Sequence, residues 1–348
     1  HIDFAHRTFR WDSEANMKAH VHCVIVGFSI APNSAKRRIY VDGRFKEANN
    51  INAYLLDAPN EFICNRSKPL WHVPQMTTGN RPADGGNLII EKDEYEEFIR
   101  KEPQAKPYIK KLVGSTEFIN NKERWCLWLV GVTPAELRKM PLVLKRVEAC
   151  KQDRENSPDA GRRKLAETPT LFRELNNPAS FILVPKVSSE RRRYVPMGFL
   201  DYNTISTDLN FIIPEATMYQ FAILTSNIHM AWMRAVCGRL EMRYRYSANI
   251  VYNNFPWPEP TAQQRQKIEQ TAQAILDARA LYPDSSLADL YDELTMPSEL
   301  RKAHRLNDMA VMEAYGFAKG SEPYRNEAAC VAELMKLYQK KVEEIENR

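Results

Sequence analysis

The chain is 348 residues long, 44% hydrophobic and 27% charged, with a formal net charge of +5. That composition belongs to a globular protein of about two or three domains, and no run of about 18 uncharged apolar residues exists to span a membrane, so no membrane partner is expected. Cysteines at positions 23, 64, 126, 150, 237 and 330 include no C-x-x-C, which argues against a zinc ribbon and for buried thiols in a reducing cytoplasm.

His1 to Arg7 is polar and reads as mid-domain sequence, so the natural N-terminus is expected upstream. A short helix capped by Asp12 or Ser13 is expected over 12–18. The β-branched run 19–30 reads as a buried strand, and 31–60 as a connector with a hairpin signal at Asp42-Gly43. A turn-rich loop fills 77–87, followed by a short strand at 88–90, a helix over 93–101 and a core strand at 125–130. Helix is favoured over 134–156, with Pro134 in its first turn, and over 159–167. Residues 181–185 and 195–200 read as paired strands. The clearest amphipathic helix is 215–238, where Met218, Phe221, Thr225, Ile228, Trp232 and Ala235 share a stripe. Alternate prolines at 256, 258 and 260 cannot continue a helix or a central strand, which places a domain boundary there. Further helices are expected near 261–282, 297–315 and 323–347.

Charge is unevenly spread. Residues 261–348 carry 12 Lys+Arg against 15 Asp+Glu, a net of −3, which leaves 37 against 29, a net of +8, on residues 1–260. A basic body suits a polyanionic partner; ordinary scatter is the alternative. The sharpest binding candidate runs from Lys186 through Glu190, Arg191, Arg192 and Arg193, between two strand-like segments. In an extended chain Glu190 and Arg192 point one way and Arg191 and Arg193 the other. A carboxylate can accept from the amine of cytosine while an arginine fork donates to guanine of the same pair. The alternative is a hairpin edge protected by charge. Arg234, Arg239, Arg243 and Arg245 oppose only Glu241 over 231–250, interleaved with Tyr244 and Tyr246; they suit phosphate and sugar contacts, or the tyrosines simply pack. Arg81, Asp84 and Asn87 sit in the glycine-rich loop, which either approaches a nucleic-acid backbone or is a plain turn. The basic residues of 145–164, Arg154 among them, read as a solvated helix face.

Catalytic signals are missing. There is no Asn/Asp-Pro-Pro-aromatic clamp for a flipped amine, no G-x-G-x-x-G, and no lysine with Asp or Glu two positions earlier, the mark of a common magnesium-dependent nuclease. Asn253-Asn254-Phe255-Pro256-Trp257 echoes the clamp only superficially. His20 and His22 share a strand face but lack further ligands, so a structural role is favoured and no metal is expected.

Several stretches, in order, resemble the MmeI-like (type IIG/IIL) family of combined restriction and methylation enzymes. Phe9-Arg10-Trp11-Asp12-Ser13 with Ala19 through Phe28 resembles a late methyltransferase motif. Asn80-Arg81-Pro82, Gly114-Ser115, Arg124-Trp125-Cys126-Leu127-Trp128, Pro196-Met197-Gly198-Phe199, His229 through Leu240, Tyr246 through Pro258, Leu300 through His304, and Asn307-Asp308 follow. The resemblance implies an adenine-N6 DNA methyltransferase that uses S-adenosylmethionine in the full-length enzyme, with double-stranded DNA as partner. It also implies a Glu-x-Arg pair at Glu190 and Arg192 that reads one base pair. The expected fold is α+β: residues 1–30 as the last strands of a Rossmann-like methyltransferase sheet, 31–60 as connector, 61–260 as a mixed target recognition domain, and 261–348 as a helical C-terminal domain. The missing N-terminal methyltransferase part, with or without a nuclease, would be the second partner. On this reading the fragment itself neither holds the cofactor nor catalyses. The alternative is a protein–protein specificity module without DNA contact.

Overall fold

A computed structural model describes residues 1–12, 20–31 and 34–347. The helix expected over 12–18 therefore lies outside the described residues, except Asp12, which ends a strand. That strand, Ile2–Asp12, pairs antiparallel with His20–Phe28 and runs parallel to Arg37–Val41, which returns as Arg44–Ala48. The return is made by Asp42 and Gly43 at φ of 48° and 74°, the left-handed pair that a two-residue hairpin of this twist requires. The supposed connector thus extends the N-terminal sheet to Ala48. The run read as a buried strand is instead an exposed edge strand, with Val24 51% and Ile25 47% open to solvent. These neighbours point to opposite faces. Burying both needs a packed layer on each side, which an apolar run does not itself reveal.

The middle of the chain builds two more four-stranded sheets. In one, Ser180–Pro185 lies between Gly198–Asp201 and Asn210–Pro214, with Thr77–Thr78 beyond, all antiparallel. The expected strand pair is present, with Gly198 opposite Leu183. Side-chain alternation sends Ile182 and Val184 into the main core and Phe181 and Leu183 into a second cluster with Ile212. The other sheet orders Thr204–Ser206, Ile109–Val113, Trp125–Leu127 and Ile89–Ile90. Its core takes in Val143, Val147 and Cys150 of the helix Pro141–Glu155.

Two expected helices are each divided. The stretch 134–156 forms Pro134–Leu137 and Pro141–Glu155, because Pro141 has no N–H for the preceding turn but suits a first helical position. The stretch 215–238 forms Met218–Leu224 and Asn227–Val236. Thr225 Oγ1 donates back to the Phe221 carbonyl at 2.7 Å, and Ser226 caps the second helix by accepting from His229 N–H at 3.3 Å. Nor is the apolar stripe one-sided: Met230, Ala231 and Met233 are as buried as Ile228 and Trp232, since helices cover the other face as well. The helices Ala262–Ala280, Ser298–Ala314 and Glu327–Glu346 follow. Their Ile268, Val311 and Leu334 share one core with Phe221, Trp232 and Phe255 across the proline-rich crossing, where Trp257 is buried against Tyr219 and Tyr252.

Candidate nucleic-acid interface

A fourth, small antiparallel sheet carries three of the basic candidates, Arg239, Arg243 and Arg245. It orders Val187–Ser188, Arg243–Arg245 and Gly238–Leu240. Alternation turns Arg243 and Arg245 to solvent and buries Tyr244. Gly238 stands opposite Arg245 and leaves the space beside it open. Arg243 pairs with Glu241 at 2.9 Å, whereas Arg245 has no ion-pair partner among the described residues. Arg239 lies over the Tyr244 ring, 3.9 Å from its centroid, and donates to the Met242 carbonyl at 3.1 Å.

Lys186 continues this surface. Its Nζ donates to Thr78 Oγ1 at 2.9 Å and sits 4.6 Å from the Phe211 ring centroid. Burial lowers its pKa; Asp208 opposes the shift, while Arg81 and Arg245 add to it. Lys186 therefore lies within electrostatic reach of Asp208, Arg81 and Arg245. Arg81 donates to Asp208 Oδ2 from Nε at 2.8 Å and Nη2 at 2.7 Å.

The rest of the glycine-rich loop looks inward. Asp84 is only 5% exposed and accepts from the N–H groups of Gly86 at 3.1 Å and Leu88 at 2.5 Å. Asn87 Nδ2 donates to the Asp84 carbonyl at 2.7 Å. Both residues hold the loop's shape. Arg154 departs further from expectation. It is wholly buried, has no acidic partner among the described residues, and donates to the carbonyls of Pro82, Ala83, Leu165, Thr168 and Leu171. Its surroundings come from two separate loops, so helical periodicity could not show that this cation points inward.

The arginine run is not extended. Arg192 N–H donates to the Ser189 carbonyl at 3.2 Å and Arg191 N–H to Ser189 Oγ at 3.2 Å, which makes 189–192 a tight turn with Glu190 and Arg191 at its corner. The two-faced alternation expected here does not apply. Arg191 and Arg193 are exposed, while Glu190 and Arg192 are half-buried; burial lowers the Arg192 pKa against the pull of Asp292. A cleft of about 520 Å³ opens beside the turn, lined in part by Glu190, Arg191, Arg192, Arg193, Arg234 and Glu327.

Sequence reasoning missed what stands behind the turn. The Tyr194 hydroxyl donates to Asp308 Oδ2 at 2.7 Å, and its ring stacks on His304 at 4.1 Å. Arg234, which the sequence offered as a phosphate or sugar contact or as part of a packed helix, donates from Nη1 to the Arg193 carbonyl at 3.0 Å. His22 from the N-terminal sheet is also within electrostatic reach: burial and Arg239 lower its pKa, and Glu190 opposes. His6 stacks on Tyr40 at 4.4 Å. Among the described residues no group of His, Cys, Asp and Glu is gathered to hold a metal, and no helix is long and apolar enough to cross a membrane.

A family model described as "MmeI, target recognition domain" matches residues 57–259. The chain belongs to the MmeI family. The MmeI models for the C-terminal domain and the DNA-methyltransferase domain match residues 260–346 and 1–41. "DNA methyltransferase A" of Bacillus subtilis (strain 168) is 40% identical over 343 residues, which is 98% of this chain and 38% of that protein. A solved structure of the Type IIL restriction-modification enzyme MmeI in complex with DNA is 44% identical, with a TM-score of 0.89 over 98% of this chain and 46% of that one. The chain spans less than half the length of either relative. The MmeI resemblance read from the sequence holds, as does the mixed helix and strand fold expected with it.

Proposed function

We propose that this chain reads base sequence in double-stranded DNA on behalf of an S-adenosylmethionine-dependent adenine-N6 methyltransferase of a restriction–modification system. Residues 61–260 are the reader and 261–348 a helical brace. The methyl-transfer part of the same polypeptide, with or without a nuclease, is the second partner. The observation that carries the reading is the convergence of Arg81, Lys186 and Arg245, from three distant segments, beside an arginine-bearing turn. The DNA in the solved MmeI structure supports it.

The chemistry divides by position. Arg245, Arg243, Arg239, Lys186 and Arg81 supply cations on one surface for phosphate oxygens. Glu190, at the turn corner, offers an acceptor to a cytosine amine, and Arg192 a two-nitrogen donor to guanine. Arg191 and Arg193, exposed on the same turn, add charge. Asp84 and Asn87 hold the loop that presents Arg81. No chemical step is assigned to these residues.

The test is duplex binding by the full protein across a series of salt concentrations. Several phosphate contacts require affinity to fall steeply as salt rises. Absent or salt-insensitive binding at low salt would favour a protein-interaction module instead.

A further inference from the structure

The exit of the arginine turn is pinned at two successive residues, and both pins belong to helices. At Arg193 the carbonyl accepts from Arg234 Nη1 at 3.0 Å, while Arg234 Nε and Nη2 grip Glu327 at 2.9 and 2.8 Å. At Tyr194 the hydroxyl donates to Asp308 Oδ2 at 2.7 Å. The other carboxylate oxygen, Oδ1, accepts from the backbone N–H of Asn227 at 2.7 Å. His304, one helical turn before Asp308, stacks on the Tyr194 ring and takes a 2.8 Å hydrogen bond with Tyr291. The helices Asn227–Val236, Ser298–Ala314 and Glu327–Glu346 thus meet at the foot of one surface turn.

Asp308 is an expensive residue for that place. It is 7% exposed, and burial pushes its pKa up to about 6 against the opposing pull of Tyr194, the Asn227 N–H, Arg193 and Arg234. An apolar side chain of similar volume would commonly be neutral or stabilising at such a site. What the carboxylate supplies, and an apolar residue would not, is a fixed distance and direction for Tyr194. A forked arginine contact to guanine needs its donors held to within about 0.5 Å.

We propose that Asp308, acting through Tyr194, is a positioning residue for the Glu190–Arg192 turn, so that the C-terminal helices set base discrimination without touching DNA. The inference rests on the reading of that turn given above. It assigns to the C-terminal part a role in specificity beyond bracing.

The test uses the full protein and a randomised duplex library sorted by binding. Discrimination is then measured as the affinity ratio between an enriched duplex and the same duplex changed at one base pair, position by position. Tyr194→Phe keeps the ring stack and removes one hydroxyl; Asp308→Asn keeps shape and an acceptor for Asn227. Each is expected to lower discrimination by about fivefold, the worth of one hydrogen bond, at the base pair affected by Glu190→Gln with Arg192→Met. Other positions and overall affinity for the unselected library should hold. A purely structural role would instead lower all positions together, or melting temperature alone, and either result overturns the proposal. If the Glu190/Arg192 variant itself leaves every position unchanged, the reading of the turn fails. If that variant acts and the Tyr194 and Asp308 variants do not, only the positioning role fails.

Discussion

Arg81 holds Asp208 through two guanidinium nitrogens, at 2.8 and 2.7 Å from the same carboxylate oxygen, so this candidate phosphate contact is already engaged within the protein. Arg245, like Arg81 within electrostatic reach of Lys186, has no ion-pair partner among the described residues. An arginine that must first leave a carboxylate gains less from a phosphate. Arg245→Gln is therefore expected to flatten the dependence of log affinity on log salt by about 0.9, the value of one lost phosphate contact. Arg81→Gln should flatten it by less. Equal slopes for the two variants in a duplex titration would refute this ranking.

Arg154 is the main polar tie between the loop at 82–83 and the segment 165–171. Arg154→Met fills the volume but leaves five carbonyls without their shared donor. A loss of at least about 3 kcal/mol of stability is expected in denaturant unfolding. Arg154→Lys should rescue little, because one ammonium cannot reach all five acceptors of a planar fork.

Acid should weaken the fold from about pH 6.5 downward. Burial holds the His229 pKa down to about 3 from an ordinary 6.5, and pushes His304 well below its ordinary value. The unfolded chain therefore binds more protons than the folded one in that window, and stability falls as pH falls. Asp308 has the opposite sign: its pKa rises from 3.8 to about 6, so its contribution is present below 3.8 and is lost as pH rises through 6. Measured against the parent protein, Asp308→Asn should gain relative stability between about pH 4 and pH 7, by up to about 3 kcal/mol. A difference that stays constant with pH would contradict the buried, ionising carboxylate.

Thiol labelling should separate the cysteines. Cys64 is exposed, whereas Cys126, Cys150 and Cys330 are buried with pKa values raised by burial, that of Cys150 to about 11. Thiolate is the reactive form. Mass mapping after brief alkylation of the native protein should find Cys64 modified first and those three protected until unfolding. Early modification of Cys150 would mean that the helix Pro141–Glu155 opens readily.

Much of the candidate surface was legible because its signals are local. Arg243-Tyr244-Arg245 is a short alternating run, and alternation alone turns two arginines outward. The Asp42-Gly43 turn and the helix starting at Pro134 follow from backbone restrictions on those very residues. The Glu190–Arg193 stretch was harder. Its composition marks it as a contact, but Ser189 closes a turn through one hydroxyl and one carbonyl, and that local competition with extended chain leaves little trace in periodicity.

By itself the sequence indicated the longer helices, the strand pair at 181–185 and 195–200, the basic candidates and the MmeI family, because propensity, φ restriction and motif order are properties of near neighbours. Tertiary structure alone decided that Val24 and Ile25 lie open, that Arg154 is enclosed by carbonyls, and that Asp308 reaches Tyr194 behind the turn. Those outcomes depend on which distant segments pack together, and burial or pairing across a hundred residues is a property of the assembled core rather than of any window along the chain.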